Sequence, residues 1–130
     1  MDQKTTLLCG AMLGCLAVIL GAFGAHAFSA FLVSHGRQET YELAVRYQFY
    51  HAFALLATGI IMKLSSPRHL KVAAIFFLSG IIFFSGSLYL LCITGQKLLG
   101  AVTPVGGALF IGGWVLLALG IYKEKRYPTT

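Results

Sequence analysis

The spacing of charged residues constrains this chain more than any other feature of its sequence. Four long runs contain no Asp, Glu, Lys or Arg: residues 5–36, 47–62, 72–96 and 98–122. A transmembrane helix needs about 20 predominantly apolar residues. Only 11% of the chain is charged, whereas a soluble domain carries about a quarter. The sequence therefore predicts one integral membrane domain, residues 1–130. Its four spans are expected at about residues 5–28, 43–62, 72–93 and 102–122.

The basic residues indicate how these spans are oriented. Arg37, Arg46 and Lys97 would lie on one side of the membrane. The other seven would lie on the opposite side: Lys4, Lys63, Arg68, Lys71, Lys123, Lys125 and Arg126. Because cytoplasmic loops carry an excess of Lys and Arg, we predict a multi-pass protein of the cell inner membrane with both termini cytoplasmic. The net charge of +6 does not indicate nucleic acid as a partner, since no water-facing segment combines basic and aromatic residues.

Small residues recur at intervals of three and four in the first predicted span. They are Gly10, Gly14, Ala17, Gly21 and Gly24. On a helix they form one stripe, and such stripes let membrane helices approach closely. Similar spacing in spans 2 and 4, together with short connections, predicts an all-α fold, a four-helix transmembrane bundle with up-down antiparallel neighbours and glycine-rich helix interfaces. The first apolar run exceeds the roughly 7–15 residues of a signal-peptide core, so a cleaved signal is disfavoured.

Polar side chains enter the second predicted span, where each needs a partner or a purpose. Tyr47 and His51 fall on its small and polar face, while Glu42 and Arg46 are spaced as an i, i+4 pair near the membrane surface. Because the spans alternate in direction, one half of the bundle collects most of the polar residues. The candidate binding residues are His26, Glu42, Arg46, Tyr47, Gln48 and His51.

Several interpretations of this polar cluster remain open. It could be a hydrogen-bonded clasp between helices, or a site that binds an anion or a lipid headgroup through Arg46. Haem ligation by His26 and His51 is disfavoured, because His26 lies off the glycine stripe of its own helix. A proton-coupled exporter would need a carboxylate deeper than Glu42, and no acidic residue is in register to orient a Ser–His pair. We expect no catalytic residue, no metal and no cofactor.

The predicted function follows from this cluster. We expect a small non-enzymatic membrane protein that is structural, or that binds a lipid or small partner. Membrane lipids and a second copy of the chain are the expected partners. The alternative is a subunit of an oligomeric transporter or channel, which would need a water-accessible path past Arg46 and His51.

Three motifs resemble a known family. They are Gly21-Ala22-Phe23-Gly24-Ala25-His26-Ala27, Ala44-Val45-Arg46-Tyr47-Gln48-Phe49-Tyr50-His51-Ala52 and Thr103-Pro104-Val105-Gly106-Gly107. Their order along nearly the whole chain resembles the uncharacterised small membrane protein family that includes human transmembrane protein 256. The resemblance implies a multi-pass protein of bacterial inner membranes, or of mitochondria in eukaryotes. It implies no activity, since the family is a domain of unknown function.

Overall fold

The regular structure of this protein is helical. The computed structural model describes residues 1–64 and 68–123, so Lys125 and Arg126 lie outside the described residues. Within those ranges there is no β-strand, which confirms the all-α prediction. The helices are α1 (Gln3–Ala25), α2 (Ser29–Ser34), α3 (Gln38–Leu64), α4 (Arg68–Ile81), α5 (Ser87–Thr94) and α6 (Thr103–Tyr122). A π turn (Ile82–Gly86) joins α4 to α5, and a 3-10 turn (Lys97–Ala101) precedes α6.

Three helical segments are long and apolar enough to cross a membrane. They are Gln3–Ala25, Arg68–Thr94 and Lys97–Tyr122. The second predicted span, residues 43–62, lies within α3, which is 27 residues long but is not among the three. Polar residues in the first half of α3 lower its mean hydropathy, and they include five of the six residues of the predicted cluster.

Helices α1 and α3 form one antiparallel pair. Near one end, a Cβ placed on Gly59 would lie 2.7 Å from Leu7 Cδ2. At the other end, Tyr41 packs against Gly24, and its hydroxyl donates a hydrogen bond to the carbonyl oxygen of Leu20 at 2.8 Å. Contacts therefore run along the whole pair in opposite chain directions, which is the arrangement that a connection as short as α2 allows.

The segment α4–α5 forms a second antiparallel pair with α6. Phe77 lies over Gly113 and Leu70 lies over Gly120, where an added Cβ would come within 2.7 Å and 2.6 Å of those side chains. Helix α3 joins the two pairs, because the shared apolar core includes Leu55 of α3 beside Phe77. The end of α1, the start of α3, the end of α5 and the start of α6 consequently meet at one end of the molecule.

The π turn changes how the third apolar segment meets its neighbours. The backbone of Phe84 packs directly against Gly106 of α6. In the same turn, the buried hydroxyl of Ser85 donates a hydrogen bond to the carbonyl oxygen of Ala44 on α3 at 2.7 Å. Such one-turn π bulges inside α-helices are often found at functional sites. Here the bulge lies level with the polar part of α3.

Candidate functional site

His51 is held on both ring nitrogens by fixed partners. Nδ1 lies 2.7 Å from the carbonyl oxygen of Tyr47, and Nε2 lies 3.2 Å from Nε1 of Trp114 on α6. A carbonyl only accepts and an indole N–H only donates, so Nδ1 carries the proton and Nε2 is the acceptor. The ring also stacks on Phe110, with centroids 3.4 Å apart. His51 therefore links α3 to α6 as a neutral ring, with no nitrogen left for a ligand.

Gln48 connects three helices through its amide group. Its Nε2 donates to the carbonyl oxygen of Leu13 on α1 at 2.9 Å, and its Oε1 accepts from the hydroxyl of Tyr89 on α5 at 2.9 Å. The side chain is only 2% exposed. Because water does not reach this amide, both bonds replace interactions that would otherwise be lost. Gln48 thus fixes the relative register of α1, α3 and α5.

The buried polar groups form a satisfied interior. Across residues 1–64 and 68–123, no buried side-chain nitrogen or oxygen lacks a hydrogen-bond partner. Tyr47 belongs to the same region, where its ring stacks on Phe84 with centroids 4.6 Å apart. The geometry of Tyr47, Gln48 and His51 is therefore that of an interhelical clasp.

Glu42 and Arg46 lie elsewhere, on an open cavity at the end of the molecule where α1 ends and α3 begins. This mouth cavity has a volume of about 300 Å³ and is lined by residues that include Gly24, Leu32, Gln38, Tyr41, Glu42 and Arg46. Both charged side chains are exposed. Glu42 Oε1 accepts a hydrogen bond from Gln38 Nε2 at 3.1 Å, so the carboxylate is engaged on the side of the helical turn away from Arg46.

A second opening continues from the mouth cavity along the same pair of helices. This side groove has a volume of about 420 Å³, and nearly all of its surface is apolar. Its lining includes Ala17, Val18, Ala22, Phe49 and Tyr50. Both openings share Gly21, Val45 and Arg46. Arg46 therefore lies at the junction of the charged mouth cavity and the apolar side groove.

The structure does not gather the six predicted residues into one place. His26 is exposed at the end of α1 and is not among the residues that line the mouth cavity. Glu42 and Arg46 line that cavity, whereas Tyr47, Gln48 and His51 belong to the interior clasp. In the described part of the chain, no three His, Cys, Asp or Glu side chains are grouped so that they could hold a metal ion.

Tyr47 and His51 also line a third opening, between α3 and α6. This aromatic groove has a volume of about 530 Å³, and Tyr50, Phe84, Phe110 and Trp114 complete most of its wall. It is almost entirely apolar, apart from the phenols and the imidazole edge. Its floor is the stacked pair of His51 and Phe110, so the clasp forms part of a surface that faces outwards.

Sequence reasoning missed Trp114 as the partner of His51. The signal available was the parallel direction of the second and fourth spans in an up-down bundle, which places Trp114 and His51 at similar depth. Tyr41 was also missed, although the volume of its ring accounts for the absence of a side chain at Gly24.

Comparison with known proteins identifies relatives over nearly the whole length. A family model described as a protein of unknown function (DUF423) matches residues 20–107. UPF0382 membrane protein SSP2132 of Staphylococcus saprophyticus is 44% identical over 121 residues, which cover 93% of this chain and 99% of that protein. UPF0382 inner membrane protein YgdD of Escherichia coli is 35% identical over 128 residues, which cover 97% and 95%. No solved structure matches significantly. The resemblance noted in the sequence is thereby confirmed, and the chain belongs to this family of uncharacterised membrane proteins.

Proposed function

We propose that this protein is a non-enzymatic integral membrane protein that binds a phospholipid in the cleft between α1 and α3. The observation that carries the proposal is the junction at Arg46 of the mouth cavity and the side groove. A phospholipid has the same two parts, a phosphate that pairs with a guanidinium and an acyl chain that fills an apolar groove. The remaining polar residues of α3 then serve to hold the helices that form the cleft.

We propose further that α3 crosses the membrane, which gives four spans in an up-down bundle with close glycine contacts between helices. Supporting this, the polar groups of Gln48 and His51 already have protein partners, so their burial in a bilayer leaves no unsatisfied group. The excess of basic residues at the opposite end favours cytoplasmic termini. The mouth cavity would then open at the outer surface, at the level of phospholipid headgroups.

The same contacts argue against a transporter or channel subunit. A water path along α3 would have to pass Gln48, which is 2% exposed, and His51, which is 5% exposed. Both side chains are held by bonds to neighbouring helices. Opening such a path would break these bonds, whereas binding a lipid in the cleft leaves all of them intact.

The proposal is tested by counting phospholipid bound to the purified protein. Protein in mild detergent is titrated with phosphatidylglycerol and with phosphatidylethanolamine, and native mass spectrometry measures the bound fraction. Arg46→Gln should weaken binding of both lipids by about 10–100-fold, because a charge-assisted hydrogen bond contributes about 1.5–3 kcal/mol. The matched control is Lys97→Gln, which removes an exposed charge at the same end of the molecule but away from the cleft.

A second variant tests the apolar part of the cleft. Ala22 is exposed and lines the side groove, so Ala22→Phe should occupy the space of an acyl chain and lower the bound fraction. Ala11→Phe is the control, because Ala11 is exposed on the same helix outside the groove. Equal lipid binding by wild type, Arg46→Gln and Ala22→Phe would remove the proposed function.

A further inference from the structure

The mouth cavity carries two opposite charges. Glu42 lines it together with Arg46, and both are exposed. Residues four apart on a helix are neighbours, with Cβ atoms about 5–6 Å apart. A ligand whose phosphate lies on Arg46 therefore brings its adjacent group within reach of the Glu42 carboxylate. The chemistry of that second group decides whether Glu42 attracts or repels the ligand.

The carboxylate of Glu42 is positioned but not saturated. One oxygen accepts a hydrogen bond from Gln38 Nε2 at 3.1 Å, which holds the side chain against the wall of the cavity. A carboxylate has about four lone-pair sites, so it can accept further N–H donors from a ligand. The bond to Gln38 is directed to the turn before Glu42, while Arg46 lies on the turn after it. Arg46 therefore lies on the side of Glu42 that faces away from Gln38.

We infer that the mouth cavity selects a phosphoethanolamine headgroup, with its phosphate on Arg46 and its primary ammonium on Glu42. This inference rests on the proposed function and specifies its ligand. In phosphoethanolamine a two-carbon bridge separates the phosphate from the ammonium, so the two charges are neighbours, as they are on the helix. The ammonium also supplies three N–H donors, which a carboxylate accepts in strong charge-assisted bonds.

Other common headgroups fit this cavity less well. Phosphatidylglycerol offers no cation, so its bound phosphate would place a second negative charge near Glu42. Phosphatidylcholine keeps the positive charge but has no N–H donor, and quaternary ammonium groups are bound best by several aromatic faces. The mouth cavity presents one aromatic ring, that of Tyr41. The expected order of affinity is therefore phosphatidylethanolamine above both of the others.

The test compares the three lipids with matched acyl chains on wild type and on Glu42→Gln, using bound fractions from native mass spectrometry. Wild type should prefer phosphatidylethanolamine to phosphatidylglycerol by about tenfold, which corresponds to about 1.4 kcal/mol. Glu42→Gln should abolish that preference and leave phosphatidylglycerol binding equal or stronger. The control is Glu39→Gln, which removes the same charge from an exposed residue outside the mouth cavity and should retain the preference.

The outcomes separate this inference from the proposed function. Suppose that Arg46→Gln loses lipid binding, but wild type does not prefer phosphatidylethanolamine or Glu42→Gln keeps that preference. This result would overturn the headgroup selection and keep the lipid site. Unchanged binding in Arg46→Gln would overturn the lipid site itself. Because Glu39, Glu42 and Arg46 are all exposed, their variants should fold, and unaltered melting temperatures would verify this.

Discussion

Two glycines on the same face of α1 are predicted to respond oppositely to the same substitution. A Cβ added at Gly10 would lie 2.9 Å from Leu56 Cγ and 3.0 Å from the carbonyl oxygen of Ala52 on α3. At Gly14 the nearest atom would be the Cβ of Ala52 at 3.9 Å, an ordinary contact. Gly10→Ala should therefore push α1 away from α3, whereas Gly14→Ala should fit without movement.

The difference between the two variants isolates the clash. Each replacement of glycine by alanine inside a helix gains about 0.5–1 kcal/mol from backbone entropy and propensity, and this gain cancels in the comparison. Overpacking typically costs about 1–3 kcal/mol, and at Gly10 one of the opposing atoms belongs to the backbone. We expect Gly10→Ala to be less stable than Gly14→Ala by about 1–3 kcal/mol, with Gly14→Ala at or slightly above wild type.

The assay is reversible unfolding in bicelles or mixed micelles, with the free energy of unfolding obtained for wild type and both variants under identical conditions. Helix content of the folded variants, measured by circular dichroism, should stay unchanged, so that any loss reflects packing between helices. A difference between the variants below about 0.5 kcal/mol, the usual range of surface substitutions, would refute the close approach of α1 and α3 at Gly10.

Three hydrogen bonds outside the α1–α3 glycine contacts lead to further testable predictions. Tyr89→Phe should lower the free energy of unfolding by about 0.6–1.7 kcal/mol because Gln48 Oε1 loses its donor, and an unfolding titration in bicelles should detect it. Arg37→Gln should speed amide hydrogen exchange in the last turn of α5, since the Arg37 guanidinium donates a hydrogen bond to the carbonyl oxygen of Cys92 at 2.9 Å. The amide of Thr5 holds the pKa of Asp2 below its ordinary value of 3.8, so the cap of α1 is present above that value and is lost as pH falls through the lowered pKa. The protection factor of the Thr5 amide, which is the exchange rate corrected for its intrinsic pH dependence, should then fall in acid, and a protection factor that does not change with pH would contradict this.

The sequence alone went far in describing the membrane character of this chain. Charge-free runs predicted where apolar helices lie, because a bilayer excludes unpaired charge over the length of a span. Three of those helices are apolar enough to span, and α3 contains the remaining run, residues 47–62. The π turn at Ile82–Gly86 gave no comparable signal, since neither a proline nor a charged residue marks it.

The sequence predicted which residues are candidates for a site, but not how they are arranged in space. The sequence identified polar side chains in and beside α3, since each is conspicuous in an apolar run. It could not assign their partners, because Trp114 and Tyr89 are distant in the chain and meet His51 and Gln48 only after α3 packs against α5 and α6. One predicted cluster thus became an interior clasp and a separate charged cavity.

What the sequence determined by itself is therefore the membrane environment and the helical class of this protein, which depend on composition and periodicity along the chain. Its three motifs, rather than composition, carried the resemblance to its family. The tertiary structure decided which glycines lie in close contact with a neighbouring helix, which polar groups are hydrogen-bonded in the interior, and which are exposed at the surface. These properties depend on distances between helices that local sequence does not encode. Arg46 and Glu42 line a cavity that adjoins an apolar groove only because α1 ends beside them and packs against α3 there.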